Sequence, residues 1–322
     1  METKSKNWGT DMTLDAQSEI ARLRGVEMGL SPLHSISPIE ARYREFAEIR
    51  NWGPPMHEVR DCLISGASGR LTGRIYTPNE LDSLPVVVWF HGGGWVQGGI
   101  LQTDSVARKI AQASGCIVVS VGYRLAPETK FPYPVEDCYA ATRWVTQNRE
   151  VLGSKNGQIA VAGYSAGGNL AAAVSIMASD RLEFELDAQV LLCPVLDKNF
   201  TLSSYLEYGQ GYGLTIESMQ WYWNHYLSDM DQALDPYAVP MQCKDFSNLP
   251  EALIITADHD PLCDEGEIYA TKLTAAGVRV TLSQYLGVMH GFISMSDSID
   301  QGMCALEETG NFLKGRFLHD TP

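Results

Sequence analysis

The chain has 322 residues, with 24 Lys and Arg against 39 Asp and Glu, a formal net charge of −15. Hydrophobic residues at 45% and charged residues at 20% suit a folded chain with a sizeable core and exclude wholesale disorder. An acidic excess of this size repels phosphate backbones, so no nucleic acid is expected as a partner. No apolar run reaches the roughly 18–20 residues that a bilayer span needs. Residues 1–10 are polar, with no apolar signal core behind them, so the expectation is a soluble, cytoplasmic protein without a membrane span. Seven cysteines, odd in number and scattered, form no CxxC pair, so reduced thiols and no metal site are expected.

In chain order, residues 1–50 carry polar-rich helical patterns, with Ile39, Tyr43, Phe46 and Ala47 at helical spacing between Pro38 and Gly53. Residues 56–64 and 70–76 alternate about a Gly66/Gly69 turn, which predicts an antiparallel hairpin at one sheet edge. Six apolar runs follow: 85–90 (PVVVWF), 116–121 (CIVVSV), 158–163 (QIAVAG), 188–193 (AQVLLC), 252–257 (ALIITA) and 278–285 (VRVTLSQY). Continuous runs of this length, rather than alternating ones, indicate strands covered on both faces. Helical patterns at 103–113, 134–148, 168–179 and 265–276 lie between them. Strands alternating with helices predict an α/β fold, a mostly parallel sheet of about eight strands flanked by helices. Residues 197–235 break the rhythm and carry Tyr205, Tyr208, Tyr212, Trp221, Tyr222, Trp223 and Tyr226. Such a cluster packs a helix pair, or forms a lid over an apolar pocket, and both can hold.

Three segments carry chemistry. Gly163-Tyr164-Ser165-Ala166-Gly167 is a GxSxG pentapeptide between the run QIAVAG and an Ala-rich helical run. A sharp strand-to-helix turn there strains the serine and needs small neighbours, while the helix N-terminus offers a free N–H at Ala166. His91-Gly92-Gly93-Gly94-Trp95 follows PVVVWF directly. Successive glycines let backbone N–H groups converge on the negative charge of a tetrahedral intermediate. A serine hydroxyl also needs a base, and the base a carboxylate to orient it. His290 lies in a glycine-flanked loop after the last apolar run, and Asp258-His259-Asp260 stands after ALIITA. The order Ser165, Asp260, His290 is that of an α/β-hydrolase, with Asp258 as the alternative acid.

HGGGW, Tyr123-Arg124-Leu125-Ala126-Pro127-Glu128 with Phe131-Pro132, GYSAGGNL, DPLCDEG and HGF in this order resemble the hormone-sensitive-lipase-like esterases, bacterial family IV of the α/β-hydrolase superfamily. The resemblance covers residues 56–322. It implies Ser165 as nucleophile, His290 as base, Asp260 as orienting acid, and Gly92, Gly93 and Ala166 as oxyanion donors, with Gly94 as the alternative to Gly92. It further implies a helical cap made of residues 1–50 and the insertion 197–235, on a catalytic domain of residues 51–196 and 236–322. Short- to medium-chain acyl esters as small-molecule substrates, and no cofactor, follow from it; a homodimer stays open. The family usually has Asp where this chain has Tyr164, which puts substrate preference rather than the nucleophile in question. Trp95, Tyr164 and Tyr205 are the candidate substrate-contacting side chains. Arg124 and Glu128 are expected to brace loops, and Asp264 and Glu265 to cap the following helix. Amide, carbamate or lactone hydrolysis on the same triad, a non-catalytic binding protein and an interfacial lipase are the competing readings.

Overall fold

A computed structural model describes residues 13–46, 53–81, 83–154 and 157–318. Two helices open the chain, α1 (Ala16–Glu27) and α2 (Pro38–Phe46). A hairpin of β1 (Glu58–Gly66) and β2 (Gly69–Thr77) follows, then β3 (Val86–Phe90), α3 (Asp104–Ser114) and β4 (Ile117–Gly122). Next come α4 (Tyr133–Gln147), the single turn α5 (Arg149–Leu152), β5 (Ile159–Tyr164), α6 (Ala166–Arg181) and β6 (Ala188–Leu192). The short helix α7 (Ser203–Tyr208) and α8 (Ile216–Tyr226) then interrupt the alternation. It resumes with β7 (Glu251–His259), α9 (Cys263–Ala275), β8 (Val280–Met289) and α10 (Asp300–Leu318).

All eight strands form one sheet in the order β1-β2-β4-β3-β5-β6-β7-β8. The β1/β2 and β2/β4 pairs are antiparallel and the other five parallel, which places the hairpin at one edge as its alternation predicts. Every residue of β3, β5 and β6 is buried, so these central strands are covered on both faces. Each fully buried Val, Ile or Leu there contributes roughly 1.5–3 kcal/mol of transfer free energy. Helix α6 is buried along Ala166–Ala178, and its Ala and Gly residues let it lie close against the sheet. No helix among the described residues is long and apolar enough to cross a membrane.

One expectation needs correction, that for the last strand, and two readings gain detail. In α2, Ile39 and Tyr43 are exposed at 74% and 76%, whereas Ala41 is buried, so Ile39 and Tyr43 point away from the body. Ala47 lies outside the described residues. The aromatic cluster divides by depth: Tyr205, Trp223 and Tyr226 are fully buried, while Tyr208, Tyr212 and Trp221 are half-buried. Strand β8 runs to Met289, well beyond the apolar run, as an edge strand with exposed Leu282 and Leu286.

Candidate active site

The C-terminal ends of the parallel strands converge, as ligand sites in doubly wound sheets do. Strand β5 delivers Ser165, which stands between the strand and α6 with φ +57° and ψ −118°. The Ser165 N–H donates to the Leu192 carbonyl at 2.8 Å, and the Ser165 carbonyl accepts from Asn169 and Val195, so the strained residue is held from three sides. A side chain at Gly163 or Gly167 would come within 2.0 Å of a backbone oxygen, that of Gly167 or Phe90 respectively. The two motif glycines are therefore required by close backbone packing.

Strands β7 and β8 deliver the other two groups. His290 Nε2 lies 3.1 Å from Ser165 Oγ, and His290 Nδ1 lies 2.6 Å from Asp260 Oδ2. Asp260 is 1% exposed and accepts a further bond at Oδ1 from the Leu262 N–H. Because a carboxylate only accepts, His290 Nδ1 carries the proton and Nε2 is left to accept from the serine hydroxyl. The alternative acid, Asp258, does not reach His290; its carboxylate takes the N–H groups of Gly287 and Val288 and His259 Nδ1.

The glycine loop lies beside Ser165. Gly93 and Gly94 have φ +106° and +59°, where other residues are strained. A side chain at Gly94 would meet the Tyr222 ring at 2.0 Å, and one at Gly92 the Tyr164 ring at 2.9 Å. Among the described residues, none accepts a hydrogen bond from the N–H groups of Gly92, Gly93, Gly94 or Ala166. The N–H of Ala166 belongs to the first turn of α6, where no intrahelical acceptor exists. Burial holds the His91 imidazole down to about 4, so it is neutral near pH 7. It donates to the Gly92 carbonyl and stacks on Tyr123 at 4.2 Å, a wall of the loop and not a base.

Two candidate substrate contacts are corrected. Trp95 and Tyr205 have no exposed surface and belong to the core. Trp95 stacks on Tyr226 at 4.3 Å and donates to Asn169 Oδ1, which fastens the glycine loop to the first turn of α6. Tyr205 donates to Glu265 Oε1. Tyr164 is 7% exposed, and its ring lies 5.3 Å from that of His290 at an interplanar angle of 23°.

Other side chains border the site or brace it, and of these Leu33, His34, Arg42 and Glu45 escaped the sequence reading. Tyr222 borders a cavity of about 470 Å³ together with His290, Leu33, His34, Leu214 and Glu217. Its walls come from the segment before α2 and from the start of α8. A larger cavity of about 770 Å³ lies behind the glycine loop against the hairpin and touches neither Ser165 nor His290. Arg42 on α2 donates to the Val96 and Ala126 carbonyls and pairs with Glu128, and Glu45 accepts from the Gly98 N–H. Arg124 makes a bidentate pair with Asp137, so the YRLAPE charges brace loops as expected. Glu265 is not a helix cap. It is fully buried and accepts from the Leu196 and Asp197 N–H groups as well as from Tyr205. Burial, only partly opposed by these three bonds, pushes its carboxyl up to about 8.

Cys193, Asp260 and His290 bring sulfur, oxygen and nitrogen ligand atoms within 4.8 Å of one another. Burial raises the Cys193 thiol well above its ordinary range, and the other two groups are bonded to each other. The trio is therefore a neutral thiol beside an Asp–His pair, and a metal ion would have to break that pair.

A protein-family profile described as the alpha/beta hydrolase fold matches residues 87–294, well over half of the chain. An arylesterase from Saccharolobus solfataricus is 38% identical over 240 residues, covering 74% of this chain and 78% of its own. The carboxylic ester hydrolase LipN of Mycobacterium tuberculosis is 38% identical over 293 residues, covering 88% and 77%. Among solved structures, the hyperthermophilic esterase from the archaeon Pyrobaculum calidifontis superposes with a TM-score of 0.89 at 41% identity, over 95% of this chain and 100% of that one. The chain belongs to the α/β-hydrolase fold family, in its hormone-sensitive-lipase-like branch, and is a carboxylic ester hydrolase.

Proposed function

We propose that the chain hydrolyses short- to medium-chain acyl esters through a covalent acyl-enzyme on Ser165, with His290 as general base and acid and Asp260 as the orienting carboxylate. The observation that carries this reading is the unbroken relay of two hydrogen bonds, 3.1 Å from Ser165 to His290 and 2.6 Å from His290 to Asp260. His290 Nε2 takes the Ser165 proton as Oγ attacks the ester carbonyl carbon. The carbonyl oxygen becomes an oxyanion facing the N–H groups of Gly92, Gly93 and Ala166. The tetrahedral intermediate collapses, the C–O bond to the alcohol breaks, and His290 hands the proton to the departing oxygen. Water then attacks the acyl-enzyme with His290 again as base, which releases the acid and restores Ser165. Every proton passes among Ser165, His290, the leaving alcohol and water, and no cofactor enters the sequence.

Within the cap and catalytic segments expected from the sequence, the described residues 13–46 and 197–235 serve as a helical cap over the rest of the described chain. Support comes from the cavity they share above His290 and from the grip of α2 on the glycine loop through Arg42 and Glu45. The cavity of about 470 Å³ beside His290 is of the size that holds a small-molecule ester. Rates on p-nitrophenyl esters from acetyl to palmitoyl test the reading, with Ser165→Ala run alongside. The expected profile peaks at short chains, and the variant loses roughly 10³-fold or more in kcat while keeping its fold. Near-wild-type hydrolysis by folded Ser165→Ala overturns the mechanism.

A further inference from the structure

We infer that Asp258 is a positioning residue for the reaction, a clasp that joins the strand bearing the acid to the strand bearing the base two to three residues before the two side chains. This rests on the assignment of Asp260 and His290 above. In the β7/β8 ladder Ala257 pairs with Tyr285 and His259 with Met289, so Leu286, Gly287 and Val288 on β8 face Asp258 alone. Such a bulge takes backbone N–H groups out of the regular ladder, and buried ones need another acceptor. Asp258 supplies it: Oδ2 accepts from Gly287 N–H at 2.8 Å and Oδ1 from Val288 N–H at 3.1 Å. Oδ1 also takes His259 Nδ1 at 2.7 Å, so a carboxylate only 3% exposed has three donors to offset its desolvation.

The placement is what gives the clasp its consequence. Asp258 stands two residues before Asp260, and the amides it holds stand three and two residues before His290. The 2.6 Å Asp260–His290 bond therefore hangs from both sides of one buried junction. The rest of the surroundings tighten the same loop. Gly287, at φ +74°, gives its carbonyl to the Asp15 N–H at the start of α1. Gln301 on α10 donates to the Leu286 carbonyl and to the Asp15 carboxylate. The His259 ring packs against Tyr208 and Tyr212 at 5.0 and 5.2 Å, so the insertion rests on the other side of the clasp. A loop released by a fraction of an ångström would leave substrate binding intact while spoiling the alignment of His290 with Ser165, and misplacement on the order of 1 Å costs roughly 100-fold in rate.

The test is a graded series, Asp258→Asn and Asp258→Glu, with Ser165→Ala in parallel. Asn keeps the volume but has one acceptor oxygen and an NH₂ that opposes an N–H donor. Its expected kcat is roughly 10- to 100-fold below wild type with KM within about threefold, and Glu falls between the two. A second readout is the far-downfield proton resonance of His290 Nδ1, expected to shift or vanish in Asp258→Asn, which a merely structural role would not move. Wild-type kcat with an unshifted resonance in folded Asp258→Asn overturns the inference, whatever happens to Tm. If Asp258→Asn does not fold, the same outcome in Asp258→Glu overturns it. Near-wild-type activity in folded Ser165→Ala would instead sink the triad assignment, so the two failures are told apart.

Discussion

Gly93 shows how little freedom the site has at the scale of one residue. Its φ of +106° is open to glycine alone, and a Cβ there would lie 2.3 Å from the Gln97 carbonyl oxygen, which is backbone and cannot swing aside. Gly93→Ala is therefore expected to displace the loop and lower kcat by roughly 10²- to 10³-fold, the cost of losing one oxyanion donor. KM on a short ester should change far less, and steady-state kinetics on p-nitrophenyl acetate check the split. The meeting of Ser165, His290 and Asp260 was legible in the sequence because each follows an apolar run and the three occur in a recognisable order. The choice between Asp258 and Asp260 was not legible from strand position, since both flank His259 at the end of one strand and a bulge in the β7/β8 ladder gives them different hydrogen-bond partners. Trp95 and Tyr205 read as pocket residues because an aromatic near a motif looks the same whether it lines a cavity or fills the core. Only tertiary packing against Tyr226, Asn169 and Glu265 decides.

Glu265 acts at the scale of elements, joining the first turn of α9 to the segment between β6 and α7. Its carboxyl titrates at about 8 in the folded chain against an ordinary value of 4.5. The folded state thus holds the proton more tightly than the unfolded one. That stabilisation is complete below about pH 4.5 and is lost as pH rises through about 8, on the order of a few kcal/mol across the window. Glu265→Gln removes the titration, so its Tm is expected to fall less than that of wild type between pH 6 and 9. Parallel melting curves check this, and equal slopes would contradict it. The central strands were legible because they are apolar on both faces. Helix α10 was not, since Gly302, Gly310 and Gly315 lower its apparent helix propensity. Two of those glycines are packing devices: a Cβ at Gly310 would meet the backbone of Ala113 on α3 at 2.5 Å, and one at Gly302 the Phe292 carbonyl oxygen at 2.3 Å. The seat of α2 on the body was not legible for a related reason. The helix is fixed to the body by Arg42 and Glu45, not by Ile39 and Tyr43.

Across the whole molecule, a net charge of −15 surrounds a cavity whose rim includes Glu217. Esters carrying a carboxylate approach against this field, while neutral esters do not. For a monoester of succinate, kcat/KM is expected to lie below that of the neutral diester, and the gap should narrow as added salt shortens the screening length. A gap that is independent of salt would place the discrimination in pocket shape instead. The meeting of residues 32–34 and 210–222 at one cavity with His290 depends on contacts far apart in the chain, which local sequence patterns do not encode. The central claim is that Ser165 becomes acylated, and labelling with a fluorophosphonate followed by peptide mapping tests it most directly. The account predicts one stoichiometric adduct on the peptide containing Ser165, formed rapidly by wild type and very slowly by His290→Ala. An adduct on another residue, or equal labelling without His290, would contradict it.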